Sequence, residues 1–412
     1  MTTPPSLSTA NTDTIRECFP ALQRKHNGYP VAYFDGPGGT QVPMMVTDAM
    51  VNYMLNQNAN THWAFPSSQE TDQILKQART ISAEFLNCDP SEIVFGQNMT
   101  TLTFHLARSL GRQWQKGDEI IVTDLDHHAN IDPWIDLSRE HGYVIRSATF
   151  NLDTGQLNHS EIEKLITSRT RLIAIGAASN ALGTVNDVKA ITTLAQKNGI
   201  TTFVDGVAYA PHILSDVHEL GCDFYACSPY KFYGPHAGIL YGTKRLLEHL
   251  NAPRLQPAGS NGSERLETGT LSHEAITGSA AAIQFLASLS DGSTVRESLK
   301  LTFESLHDRS QRLITLLWQE LQTINHIRCY GPPPSEERIP TISFSLDQIT
   351  SEDVCRKLSC LGLFLSHGDF YASTVVKNLN VEGLIRVGIS CYSTVEEVER
   401  LIDGIHQIAR SY

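Results

Sequence analysis

The run Cys227-Ser228-Pro229-Tyr230-Lys231-Phe232-Tyr233-Gly234-Pro235-His236 sets a lysine just past a short apolar stretch, and Val204-Asp205-Gly206 sets an acid at the end of another. A buried carboxylate at one strand end and a lysine at a nearby one are the parts that a pyridoxal phosphate site needs. The amine condenses with the cofactor aldehyde, and the acid keeps the pyridine nitrogen protonated so that the ring accepts the electrons of a substrate carbanion. Ser228 lies where its hydroxyl can reach the cofactor phosphate. Taken alone, Lys231 reads as a surface lysine after a proline turn, and Asp205 as an acid capping a strand end; their combination is what points to chemistry. Ser228-Pro229-Tyr230-Lys231 also fits the Ser-x-x-Lys nucleophile motif of penicillin-recognising hydrolases, but the Lys-Thr-Gly element that accompanies it there is missing.

The elements that must position these residues follow from hydrophobic periodicity. From Val31 onward, short apolar runs alternate with longer amphipathic ones. Strands are predicted over 92–95, 119–122, 143–149, 171–176, 201–204, 224–227 and 238–241, with helices over 100–110, 133–141 and 188–198 between them. Such alternation implies a mostly parallel sheet covered on both faces. Ligands bind beyond the carboxyl ends of the strands in these sheets, where Asp205, Ser228 and the turn Asp126-His127-His128 fall. Pro253, Pro257, Gly259, Gly262 and Gly269 mark a composition shift, and a helix is predicted over 275–289. After the turn Gly331-Pro332-Pro333-Pro334 come a strand over 341–346, a helix over 351–361, a loop, a strand over 384–389 and a helix over 394–408. This last set reads as a second, smaller α/β domain.

At 412 residues the chain is too long for one small core, so two domains are expected. Lysine and arginine total 32 against 44 acids, a net charge of −12, which argues against nucleic acid or an anionic membrane surface as partner. No apolar run approaches the roughly 18 residues that a membrane span requires. Residues 1–11 are rich in Thr, Ser and Pro and read as a disordered lead-in, not a secretory signal. The eight cysteines show no zinc-knuckle or redox spacing, so reduced thiols in the cytoplasm are the expectation. Asp124, Asp126, His127, His128 and Asp132 cluster in sequence, and a metal site is the rival reading there. The acid-rich blocks that accompany Asp-His-His in metal-dependent phosphoesterases are not evident, and no metal is expected.

Several blocks in fixed order carry a family resemblance: Tyr33-Phe34-Asp35, Asn58-Ala59-Asn60, Asp126-His127-His128-Ala129-Asn130, Ser179-Asn180-Ala181-Leu182-Gly183-Thr184-Val185, Val204-Asp205-Gly206, Lys231-Phe232-Tyr233-Gly234-Pro235, Glu267-Thr268-Gly269-Thr270 and Arg386-Val387-Gly388. The chain resembles the class V aminotransferase superfamily of fold-type I pyridoxal phosphate enzymes, and within it the cysteine desulfurase-like proteins. The resemblance implies an α/β fold with a large domain on a mostly parallel seven-stranded sheet and a smaller C-terminal α/β domain. The expected division is 1–30 as an N-terminal segment packing on the small domain, 31–290 as the large cofactor-binding domain and 291–412 as the small one. It also implies that Lys231 binds the cofactor and moves the Cα proton, that Asp205 pairs with the pyridinium nitrogen, and that His127 stacks on the ring and can shuttle protons, with His128 behind it. Asn180 is expected at the phenolic oxygen or the substrate carboxylate. The helix opening at Asn98, Met99 and Thr100 offers amides, and Thr100 a hydroxyl, to the phosphate. Ser228 and Tyr230 are further phosphate ligands in this reading. Arg386 binds the substrate α-carboxylate as a bidentate pair, and His62, with Trp63, is a candidate for the substrate pocket. The resemblance further implies that Gly269-Thr270 reaches a partner's phosphate across a homodimer interface.

Three departures bear on the reaction. Cysteine desulfurases carry a nucleophilic cysteine on a loop before the carboxylate-binding arginine, but here residues 366–373 read Ser-His-Gly-Asp-Phe-Tyr-Ala-Ser, with Tyr371 where the thiol would be. A phenol cannot accept sulfur as a persulfide. Ala208 replaces a polar residue, and Tyr230 a histidine. The expectation is a homodimeric, cytoplasmic pyridoxal phosphate enzyme acting on a small-molecule α-amino acid. A C–S lyase that cleaves cysteine or cystine by β-elimination leads, with an aminotransferase or a racemase as alternatives and a non-catalytic binding protein as the reading from another class.

Overall fold

Seven strands form one sheet in the order Ile93–Gly96, Gly238–Gly242, Phe224–Cys227, Thr201–Asp205, Thr170–Gly176, Glu119–Thr123, Val144–Ala148. Gly238–Gly242 runs antiparallel to both neighbours, and the other pairings are parallel. This is a computed structural model, and it describes residues 9–259 and 261–410; the expected lead-in lies, up to residue 8, outside the described residues. The inner strands are almost continuously buried because helices cover both faces, while the edge strand Val144–Ala148 is largely exposed, and the twofold alternation of a strand divides the side chains between two cores. Ile121, Ile173 and Val204 point to the side of helices Pro66–Leu86 and His273–Ala287, whereas Ile120, Leu172 and Phe203 point to the side of Met99–Gly111 and Asp132–His141.

A second sheet, antiparallel throughout, runs Ile327–Tyr330, Thr341–Leu346, Leu384–Gly388, Ser366–Gly368. Helices Val295–Thr323, Ser351–Ser359 and Val395–Ala409 pack on it and close a third core. The loop expected between 361 and 384 contains more structure than the sequence pattern gives: the pair Leu363–Phe364, the strand Ser366–Gly368 and the helix Ser373–Asn378. The N-terminal stretch touches both halves. Phe19 packs on Tyr233 and Phe285, Arg16 meets Glu397 at 2.9 Å, and Ala32–Tyr33 pairs with Leu363–Phe364.

The two sheets are bolted together behind the turn at 181–184. Arg338 is fully buried there, and its guanidinium donates to the carbonyls of Leu182, Pro332, Ile339 and Thr341 and lies over the Trp318 ring. Thr184 bridges to Arg338 through the backbone, and Ile339 N–H donates to Gly183 O at 2.9 Å. Among the described residues no helix is long and apolar enough to cross a membrane.

Candidate active site

The carboxyl ends of the parallel strands converge on one enclosed cavity. Asp205 closes its strand, Ser228 follows the next, and Asp126 and His127 follow a third. Those residues line the cavity together with Asn98, Met99, Thr100, Asn180, Ala208, Tyr230 and Lys231. The turn Pro229–Lys231 starts with proline and turns Lys231 inward, where it is 6% exposed. Burial and the nearby Arg386 cation press the amine down to about 8, with Asp205 pulling the other way. The Asp205 carboxylate accepts from Val207 N–H at 2.9 Å, and burial pushes its pKa up.

His127 caps its own turn, its Nδ1 accepting from Ala129 N–H at 2.9 Å. The proton of the neutral ring therefore sits on Nε2. Burial, then Lys231 and Arg386, hold the imidazole's pKa down at about 3, so the ring is neutral and can stack without carrying charge. Asn98 caps the helix Met99–Gly111, accepting from Thr101 N–H at 2.8 Å, and turns the first amides toward the cavity. The Met99 N–H makes a long contact of 3.4 Å to the Ser228 hydroxyl. Amides and a hydroxyl at a helix N-terminus suit a phosphate.

Asn180 donates to Phe370 O at 2.9 Å, while its Oδ1 is buried without a partner among the described residues. A buried orphan acceptor calls for a donor from outside the chain. Arg386 rises from the strand Leu384–Gly388; its Nε donates to Ser366 Oγ at 3.1 Å and its Nη1 to Asn180 O at 2.9 Å. Burial lowers its pKa to about 9 against the pull of Asp35, and the Phe370 ring covers one guanidinium face at 4.0 Å. Tyr230 stacks on His236 with ring centroids 4.9 Å apart. Gly39, at φ +158, leaves room for the Tyr230 ring: a Cβ there would meet it at 3.3 Å.

His62 and Thr270 are not brought to Lys231 within one chain. Both border a second, open cavity, with the His62 ring exposed and paired to Asp72 at 3.1 Å. Glu267 of the Thr270 block is held by Arg79 at 2.9 Å and by Phe95 N–H. Among the described residues no group of three or more His, Cys, Asp or Glu gathers to hold a metal. Tyr371 stands at the mouth, 75% exposed, with its ring 5.6 Å from that of His127. Among the described residues no cysteine lines the cavity; Cys227 is buried and its thiol held far from ionising.

Three residues that sequence reasoning passed over also belong to the site. Asp126 accepts from Gly176 N–H and Asn130 Nδ2, and burial, with Asp205 adding to it, pushes its carboxyl up to about 7. Its signal was present in the Asp-His-His block, where the histidines drew the argument. Asp35 stands near Arg386 with Oδ1 unpartnered, and it too lay in a quoted block. Nothing local marked Phe370.

A model of the aminotransferase class V family matches residues 32–401. The chain belongs to that family. It is 32% identical over 417 residues to the aminotransferase-like protein FGM3 of Gibberella zeae, covering 98% of this chain and 100% of that one. It is 32% identical over 414 residues to a cysteine desulfurase of Serratia proteamaculans, covering 97% and 98%. The apo structure of a cysteine desulfurase from Thermococcus onnurineus superposes with a TM-score of 0.88 at 25% identity, over 97% of this chain and 98% of that one. This class V protein is thus a pyridoxal phosphate enzyme of fold-type I. The cavity suits that cofactor through a buried amine, a buried acid, an orphan Asn180 Oδ1 and a helix N-terminus.

Proposed function

We propose that the chain cleaves the Cβ–S bond of cysteine or cystine by β-elimination. The observation that carries this reading is the rim: Tyr371 stands beside His127, and among the described residues no cysteine lines the cavity. The relatives named as cysteine desulfurases support a small sulfur amino acid as substrate. Lys231, Asp205, His127, Asn180, Met99, Thr100, Ser228 and Tyr230 would hold the cofactor. Bound pyridoxal phosphate supplies a sink for the charge that develops at the substrate Cα. Arg386 holds the α-carboxylate edge-on, since Phe370 covers one of its faces. Lys231, with its depressed proton affinity, takes the Cα proton near neutral pH. Asp205 supplies the negative charge that keeps a protonated ring nitrogen. The electron pair left at Cα expels the Cβ sulfur as thiolate or persulfide, and the released product hydrolyses to pyruvate and ammonia.

In this reading the working form is a homodimer, and His62 and Thr270 serve the partner's cavity. Support comes from the apolar surface next to them: Met44, Met45, Val51, Met54, Leu55, Trp63 and Phe65 are all exposed in the single chain. Separate sheets support the division at 31–290 and 291–412, and eight unpaired cysteines support a cytoplasmic location. The test is to incubate the protein with cysteine and with cystine and measure pyruvate, alanine, sulfide and protein persulfide together. Pyruvate without alanine is expected. Stoichiometric alanine with a persulfide would mean that a thiol reaches the site. An oxo acid formed only with an amino acceptor would make it an aminotransferase, inversion at Cα a racemase, and no turnover a binding protein.

A further inference from the structure

The turn 369–374 borders the cavity, touching its lining residues Asn180 and His127, with an unusual backbone. Phe370 and Tyr371, successive and both bearing side chains, have φ of 57 and 56. Left-handed conformations are costly for such residues and persist where the surroundings impose them. His128 supplies much of that imposition. Its backbone N–H donates to Tyr371 O at 2.7 Å. Its ring Nδ1 meets Asp132 Oδ1 at 3.0 Å, and its Nε2 meets Ser373 Oγ at 2.9 Å and Thr374 Oγ1 at 3.2 Å. A carboxylate can only accept, so Nδ1 carries a proton, while Nε2 meets the two hydroxyls. One imidazole thus ties the helix at Asp132 to the start of the helix Ser373–Asn378. The turn's two strained residues lie just ahead of that tie. Phe370 caps the Arg386 guanidinium, and Tyr371 lies along His127.

We propose that His128 is a positioning residue for the substrate site: by bridging Asp132 to Ser373 and Thr374 it fixes the turn over the cavity, and so sets Phe370 on Arg386 and Tyr371 beside His127. The turn is then a fixed rim and not a moving arm. The inference rests on the amino-acid reading given above for what the rim serves, while the bridge itself stands on the distances.

The test compares wild type with His128→Ala, His128→Gln and the double variant Ser373→Ala/Thr374→Val. Hydrogen exchange is followed for peptides covering 369–376, with cofactor bound and with it removed. In His128→Ala, exchange there should rise about tenfold or more while peptides covering 201–227 stay as in wild type. KM for the amino acid should rise about tenfold, with kcat changed much less, because Lys231 and Asp205 are untouched. The double variant should behave like His128→Ala, and His128→Gln, which keeps a donor and an acceptor, should recover part of both effects. Unchanged exchange and unchanged KM overturn the proposal. Faster exchange with unchanged KM also overturns it, because the bridge would then be structural only. If His128→Ala fails to fold, the double variant decides on the same two readouts. If wild type turns over no amino acid, the proposed reaction has failed and this proposal has not: exchange in the cofactor-free protein still decides the bridge, and amino-acid affinity read from the cofactor's visible absorbance takes the place of KM.

Discussion

Lys231 and Arg386 are two cations sharing one buried neighbourhood, and the weaker base yields. An aldehyde is attacked by the neutral amine alone, so the cofactor-free protein should capture pyridoxal phosphate faster as pH rises toward about 8 and gain little beyond. An ordinary lysine would keep gaining to about pH 10. Stopped-flow absorbance across that range separates the two, and a rate still climbing well above pH 8 would contradict the depressed amine. Arg386 faces the opposite test. Truncating one member of a buried charged pair costs about 2–5 kcal/mol. Arg386→Ala should therefore lower kcat/KM roughly 30-fold or more, chiefly through KM, and steady-state kinetics on amino acids and on the matching carboxylate-free amines would show the loss confined to the former. Much of this site was legible in the blocks around Lys231 and Asp205, because they lie at or just past strand ends that the apolar pattern marks, whereas Arg386, in mid-strand, was reached through the family resemblance alone. The charge coupling between Asp126 and Asp205, and the ring of Phe370 on Arg386, depend on elements far apart in sequence, and no local pattern encodes them.

At the level of elements, the helix Met99–Gly111 links a cap to a ligand. Asn98 Oδ1 holds Thr101 N–H, and the amides ahead of it face the cavity, the Met99 N–H with only its 3.4 Å contact to Ser228 Oγ. Replacing an N-cap asparagine by alanine costs about 1 kcal/mol. Asn98→Ala should weaken phosphate-dependent cofactor binding about fivefold, read by equilibrium dialysis of pyridoxal phosphate; an equal loss for pyridoxal lacking the phosphate would assign the effect to something other than the helix end. The strands from Ile93 to Gly242 were readable because each is a short run bounded by turn residues, whereas the short helices His159–Glu163 and Val217–Leu220 between them were not. Ser366–Gly368 was not, since three residues carry no period and become a strand only by pairing with Leu384–Gly388. Likewise the helix Ser373–Asn378 is too short for an amphipathic signal, and the packing of Val375 and Val376 under it decides its place.

For the whole molecule, the proposed sharing of sites between two copies predicts complementation. Lys231→Ala and Thr270→Asp, each inactive alone, should regain about one quarter of wild-type activity after subunit exchange, since half of the dimers are mixed and each mixed dimer has one complete site. A fully active monomer in analytical ultracentrifugation would refute it. Arg338 makes a different demand. Removing its guanidinium orphans several buried carbonyls, so Arg338→Ala should cost roughly 3 kcal/mol or more and lower the melting temperature in calorimetry. The joint has a further consequence. Its positive charge is surrounded by carbonyl dipoles and not by an acid, much as a dehydrated cation is held in a ring of oxygens, so added salt finds no ion pair there to screen. Halves fastened in this way are expected to behave as one body, and heating should melt both sheets in a single transition at low and at high ionic strength alike.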